Sequence, residues 1–282
     1  MSQYILPNGN VQIAFSGGRT SAYMLHEILK ANGGLPERVQ VLFQNTGREM
    51  PQTLDFVQEV GDRWNVPIVW LEYLPEAPHF EIVSHNSASR NGEPFERLIR
   101  RRKYLPNQQA RFCTIELKIR TAKRYLMSLG WKEWTNAIGI RADEQRRVRP
   151  EDDKGKDRWF TWQPLNHAGV TKRDVAKFWS QQGFDLRLPN VKGNAALGNC
   201  DGCFLKSEAT LAMLARDYPD RHKWWDDMER LASSLSASPS GARFRKEYTR
   251  AALGDFVDRQ GDWIFDDENG ALCQTDGGEC TG

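Results

Sequence analysis

The 282-residue sequence has no long apolar run, and none approaches the roughly 20 residues a membrane-spanning helix requires. Its first nine residues have neither the basic start nor the apolar centre of a secretory leader, so the expected location is the cytoplasm, with no membrane partner. Histidine is scarce: there are five, without metal-ligand spacing, and His26, His167 and His222 read as packing or surface residues. No Ser-His-Asp arrangement and no internal repeat is present. Charge of one sign is not in excess either; a formal net charge of +2 does not describe a generic nucleic-acid binder. Cysteine is sparse and odd in number: Cys113, Cys200, Cys203, Cys273 and Cys280. In a reducing compartment these point to metal binding or redox chemistry rather than a disulfide framework.

What remains is an ordinary folded composition, 39% hydrophobic and 27% charged, long enough for one large domain or for one domain with a C-terminal appendage. Residues 11–15, 39–43, 68–73 and 136–140 are short and β-prone. Between them, apolar residues recur at helical spacing: Tyr23, Met24, Ile28 and Leu29 before Gly33-Gly34, then Leu54, Val57, Val60 and Trp64 after Pro51. This alternation predicts parallel βαβ units. Residues 75–109 are irregular and read as a lid or insertion. A helix is expected after Cys113, a mobile loop over 146–158, and a helix over 170–179 capped by Thr171. Residues 233–241 read as a linker, and from 266 on the chain is an acidic, glycine-rich tail.

Two basic clusters interrupt the even charge: Arg97, Arg100, Arg101, Arg102 and Lys103, then Arg141, Arg146, Arg147 and Arg149. Both suit phosphate; for the first, a solvated helix face is an equal alternative. The clearest chemical signal is Ser16-Gly17-Gly18-Arg19-Thr20-Ser21, where a strand runs into a helix start. The glycines admit tight backbone, helix N–H groups attract anions, and Ser16, Thr20, Ser21 and Arg19 add donors. It is not a Walker loop, because no Gly-Lys-Ser/Thr follows at the required spacing.

With Phe15 ahead of it, this loop resembles the pyrophosphate loop of the adenine-nucleotide α-hydrolase superfamily, which includes phosphoadenosine phosphosulfate (PAPS) reductases and ATP pyrophosphatases. Thr20 stands where the family pattern has Asp. Phe43-Gln44-Asn45-Thr46-Gly47 with Pro51-Gln52-Thr53 resembles the Asp-Thr-Gly and Pro-Glu-Thr region of PAPS reductases, with Asn45 replacing an acid. Arg111-Phe112-Cys113-Thr114 with Lys118, Gly139-Ile140-Arg141 with Asp143-Glu144, and Pro164-Leu165 follow in family order. The resemblance covers roughly residues 11–205, and the wording is similar to phage and prophage members. It implies an α/β fold, a mostly parallel doubly wound sheet, with a nucleotide-binding domain over 1–205 and a helical region with a flexible tail over 206–282.

Cys200-Asp201-Gly202-Cys203 is a C-x-x-C pair, for which zinc, iron–sulfur and redox dithiol readings compete. The resemblance adds Cys113: adenylyl-sulfate-type reductases hold a four-iron cluster with a Cys-Cys before the Lys and a later C-x-x-C. Here Phe112 replaces one of those cysteines, leaving Cys113, Cys200 and Cys203 as ligands, with Cys273 or Cys280 as a possible fourth.

Three functions follow from the resemblance. The first is an ATP-dependent adenylylating enzyme with a 4Fe-4S cluster that releases pyrophosphate and transfers sulfur to a nucleotide or nucleic-acid acceptor. There the 16–21 loop would hold the β and γ phosphates with Mg²⁺, and Phe43, Asn45 and Thr46 would seat the adenosine. Gly139 and Arg141 would line the phosphates, and Arg19, Lys118 and Arg141 would stabilise charge at phosphorus. The second is a PAPS or adenylyl-sulfate reductase in which Cys280, in a tail similar to the reductases' Glu-Cys-Gly-Leu-His only at Glu279-Cys280, attacks the sulfonate. A sulfur donor would serve the first and a thioredoxin-like reductant the second. The third is a nucleotide-binding module with a structural metal at Cys200 and Cys203.

Overall fold

The computed structural model describes residues 2–150, 157–191, 194–236 and 241–260. Its centre is a six-stranded sheet in the order β4-β3-β2-β1-β5-β6. The strands are β1 (Val11–Ala14), β2 (Val39–Gln44), β3 (Ile68–Tyr73), β4 (Phe80–Val83), β5 (Trp134–Ala137) and β6 (Trp159–Trp162). All pairs are parallel except β3 with β4. The strand order reverses beside β1, so a crevice opens where the carboxyl ends of β1 and β5 diverge. In open α/β sheets ligands bind at this place.

One face of the sheet is closed by α1 (Arg19–Asn32), α2 (Pro51–Trp64) and α6 (Lys172–Trp179). Val11, Ile13 and Phe15 join Val41 and Phe43 in burying apolar surface against Leu25, Ile28, Leu54 and Val57. Each helix ends or begins where its sequence dictates. Gly33 takes the left-handed conformation (φ 68°) that closes α1, and Pro51 opens α2. Thr171 and Asp174 form the capping box of α6, as the Thr171 cap predicted. On the opposite face a smaller cluster of Leu42, Leu71, Tyr125, Leu126 and Trp134 packs under α4 (Thr121–Ser128).

The expected parallel, doubly wound architecture is present, with four revisions. Residues 75–109 contain β4 and α3 (Glu93–Arg102). The segment after Cys113 begins as a π-helix, Thr114–Arg120, before α4. Strand β5 lies two residues earlier than its apolar pattern suggested, because pairing of Val11 with Thr135 sets the register. Residues 159–162, just after the expected loop over 146–158, add the parallel edge strand β6; residues 151–156 lie outside the described residues.

Beyond β6 come α5 (Pro164–His167) and a short hairpin, β7 (Asn190–Val191) with β8 (Asn194–Ala195). Three helices follow: α7 (Glu208–Asp217), α8 (Pro219–Leu235) and α9 (Arg250–Gln260). The expected linker starts inside α8, and residues 237–240 lie outside the described residues, as does the tail from 261. Trp225, Met228, Ala232 and Phe244 are buried in the same cluster as β1 and β2, so these helices share the main core. Among the described residues no helix is long and apolar enough to cross a membrane.

Candidate active site

The loop of residues 16–18 turns from β1 into α1 at the crevice. Gly17 has φ +77°, and a Cβ there would lie 2.9 Å from Thr53 Cγ2, 3.0 Å from Val57 Cγ2 and 3.2 Å from the Phe43 ring. The turn therefore needs glycine for both conformation and space. Gly17→Ala is expected to cost roughly 2–3 kcal/mol through left-handed strain and overpacking, read from the urea midpoint. A midpoint unchanged from wild type would contradict this account of the turn. Gly18 is the N-cap of α1 and supplies no side-chain acceptor. The Ser21 hydroxyl closes the loop internally, at 3.0 Å from Ser16 Oγ and 3.0 Å from the Gly18 carbonyl, to which it donates.

Arg141 is the cation the fold brings to this loop. It is 5% exposed, donates from Nη1 to Thr20 Oγ1 at 3.2 Å and from Nε to Asp143 Oδ1 at 2.9 Å. Thr20, the departure from the family acid, thus holds an arginine. Gly139 lies against the start of α1, where a Cβ would stand 3.4 Å from Ser21 Cα, in ordinary contact. Arg19 is engaged elsewhere, in a paired contact of Nε and Nη2 with the Asp185 carboxylate.

The β2 end is more structural than its sequence suggested. Phe43 is buried in the core edge-on to Trp70. Asn45 is fully buried and donates to Glu72 Oε1 at 2.6 Å and the Ser89 carbonyl at 2.8 Å. Burial pushes the Glu72 carboxyl up, against the hydrogen bonds from Ser89 and Asn45. Thr46 faces the cysteines: its hydroxyl lies 2.9 Å from Glu49 Oε2 and 3.3 Å from Cys200 Sγ.

A cavity of about 330 Å³ runs from Ser16 along the sheet face, under the π-helix, to Trp159. Lys118 lines it and also donates to Asn199 Oδ1 at 3.3 Å, beside Cys200. Three lining residues, Gln44, Trp134 and Asn136, each carry a buried polar atom without a partner among the described residues: Gln44 Nε2, Trp134 Nε1 and Asn136 Oδ1. Unpaired buried groups are costly, so such a set marks a polar ligand site. Sequence reasoning passed over these three because they alternate with core residues and look like ordinary strand positions.

The C-x-x-C loop is pinned by its spacer. Asp201 has no exposed surface and accepts from Arg48 Nη2 at 2.9 Å, Trp225 Nε1 at 2.7 Å, the Gly202 amide at 2.7 Å, and Arg221 Nε. Asp201 N donates to the Arg48 carbonyl at 2.9 Å, and Arg221 Nη2 reaches the Glu49 carbonyl at 2.8 Å. Arg48 lies over the Trp224 ring, 4.7 Å from its centroid. Burial pushes the Arg48 guanidinium down, and the adjacent Asp201 opposes this. None of Arg48, Glu49, Asp201 and Arg221 was marked by the sequence, since the partners lie more than 150 residues apart or in another helix.

Burial raises the Cys200 thiol well above its ordinary range, reinforced by the Glu49 carboxylate and opposed by Lys118. Cys113 is a neighbour that Cys200 senses electrostatically. Metal centres take thiolates converging on one point. Among the described residues no three His, Cys, Asp or Glu side chains are so arranged, and Cys200 is a thiol held against Thr46. Among the described residues Cys113, Cys200 and Cys203 therefore form no group that could hold a metal in this arrangement. Cys273 and Cys280 lie outside the described residues. Cys200 is partly exposed, but its raised thiol should make it react with iodoacetamide more slowly in the folded protein at about pH 8 than in urea, read by peptide mass spectrometry. Equal labelling rates in both states would contradict the raised thiol.

The fold and crevice define an α/β protein whose sheet switch point carries a glycine loop, a helix N-terminus and a polar cavity. The family model of the phosphoadenosine phosphosulfate reductase domain matches residues 10–187. An uncharacterised nin-region protein, ORF290, of Escherichia phage lambda is 31% identical over 215 residues, covering 73% of this chain and 69% of the relative. A crystal structure of phosphoadenylyl-sulfate (PAPS) reductase from Candida auris, in a phosphate complex, is similar over 64% of this chain and 79% of its own. Its TM-score is 0.42 and its identity 18%, a likeness too distant to inform the reaction. The chain belongs to the phosphoadenosine phosphosulfate reductase domain family and is an enzyme of that superfamily.

Proposed function

We propose that this enzyme binds ATP in the cavity beside the 16–18 loop and adenylylates an oxygen of an acceptor. The acceptor oxygen bonds to the α-phosphorus, the bond to pyrophosphate breaks, and the acceptor proton leaves to solvent. The carrying observation is the cavity itself, which joins the loop at Ser16 to three unpartnered buried polar atoms. Asn136 Oδ1 accepts and Gln44 Nε2 donates, the complement of an adenine edge that presents an amino group beside a ring nitrogen. The α1 N-terminus and Arg141 favour the polyphosphate, with Mg²⁺ as its usual counter-ion. Lys118 lies between this cavity and Asn199, so it supports charge at phosphorus next to the cysteine loop.

In this reading Cys113 and Cys203 serve sulfur chemistry, fed by a sulfur donor, while the weakly acidic Cys200 anchors the loop against Thr46. The division at residue 205 is functional: nucleotide chemistry precedes it, and the helices after it brace the cysteine loop.

Acceptor-dependent release of pyrophosphate from ATP, abolished in Lys118→Ala, is the expected result. Sulfite formation from PAPS with a thioredoxin-type reductant and no ATP requirement, lost in Cys280→Ser, would instead establish the reductase. Iron and sulfide analysis after anaerobic purification accompanies both assays. About four irons per chain, lost in Cys200→Ala, would show that the cysteines rearrange to hold a cluster.

A further inference from the structure

Outside the cavity, positive charge is concentrated far beyond what a net charge of +2 suggests. At the C-terminal end of α3, Arg102 reaches the Glu116 carboxylate of the π-helix, and Arg120 donates to the same oxygen at 2.7 Å. Arg101, almost wholly solvated, is held by the Pro75 carbonyl at 2.7 Å and the Tyr73 hydroxyl at 3.2 Å. Arg124 is within electrostatic reach of Glu116, Arg120 and Arg101, and its Nη1 is buried with no partner among the described residues. Four guanidinium groups therefore surround one carboxylate. Arg120 continues the path into the cavity wall, where Lys118, Lys123 and Arg149 also stand, with Asp157 the one carboxylate among the described lining residues. Lys123 Nζ lies 5.9 Å from the Trp159 ring centroid, and Ile115 and Tyr104, each 43% exposed, flank the path.

We propose that this basic path, Arg101–Arg102–Arg120–Lys123, binds the phosphate backbone of a single-stranded nucleic acid and leads it to the cavity mouth. The proposal names the acceptor class and rests on the nucleotide-dependent reading above. The four cations are spread over α3, the π-helix and α4, so successive phosphates of a chain find more contacts there than one small anion would use. Exposed Tyr104 and Ile115 beside it offer bases the apolar and aromatic contacts that single strands use. A duplex would bury its bases and leave both residues unused.

The test is fluorescence anisotropy of the full chain with labelled 20-mers of mixed sequence, single-stranded RNA or DNA and duplex DNA, without ATP, from about 50 to 300 mM NaCl. Expected is single-strand binding preferred over duplex, with log Kd rising steeply with log salt. In Arg101→Ala/Lys123→Ala the slope should fall by about 1.4, because each lost phosphate contact removes about 0.7. Affinity at 100 mM NaCl should drop at least about fivefold, with an unchanged melting temperature. Neither replaced residue holds Glu116, so the α3–π-helix link stays intact.

Arg187→Ala, a 70%-exposed arginine paired with Glu59, is the control and should bind as wild type. No measurable binding at low salt, equal weakening by Arg187→Ala, or full competition by polyglutamate would overturn the proposal, the last favouring an acidic protein. Because binding is read without nucleotide, its failure would leave pyrophosphate release untouched, and the reverse holds equally.

Discussion

Asp201→Ala is expected to destabilise the protein by about 3–5 kcal/mol, the range found when one partner of a buried ion pair is removed. The carboxylate has no exposed surface and is shared by Arg48, whose side chain is only 4% exposed, and Arg221. Without it two guanidinium groups face each other in a poorly hydrated site, and Trp225 Nε1 and the Gly202 amide lose their acceptor. Asp201→Asn keeps the shape and one acceptor oxygen but not the charge, so it should fall between wild type and alanine. Urea unfolding reads both. A loss below about 0.5 kcal/mol in Asp201→Ala would mean that the two arginines find other partners cheaply, and that the loop is not pinned as described.

The second large effect is on turnover. Arg141→Ala is expected to lower kcat/KM for the proposed adenylyl transfer by about 10²–10³, the usual loss when one preorganised donor to developing charge is deleted. The side chain is buried and fixed by Thr20 and Asp143 before any ligand arrives, so it pays no ordering cost on reaction. Arg141→Lys keeps the charge but not the planar fork that reaches both partners, and should recover only part of the loss. A wild-type kcat/KM in Arg141→Ala would remove this residue from the mechanism. A loss confined to KM would make it a binding group only.

Local chemistry explains what could be read early. Strands β1, β2 and β3 and helices α1 and α2 were visible because each buries one periodic apolar face and ends on Gly33 or begins at Pro51. The glycine turn was visible because Gly17 has neither room nor a permissible φ for another residue. Strands β4 and β6 were not: they are four-residue sheet edges with exposed residues such as Ile82 and Phe160, set within or beside irregular, charged stretches. The π-helix was hidden because its side-chain pattern passes for an ordinary helix turn.

The site divides in the same way. The sequence by itself determined the glycine turn, the parallel sheet that carries it, and the family, since these depend on residues close together in the chain. Only the tertiary structure decided that Arg19 is taken by Asp185, that Asn45 serves Glu72, and that Arg141 reaches Thr20. It alone revealed that Asp201, a spacer between two cysteines, gathers Arg48 from one end of the chain and Arg221 and Trp225 from the other. The reason is physical: a buried charge must be paired, but the identity of its partner is set by which segments the packed core brings together, and no spacing in the sequence encodes that.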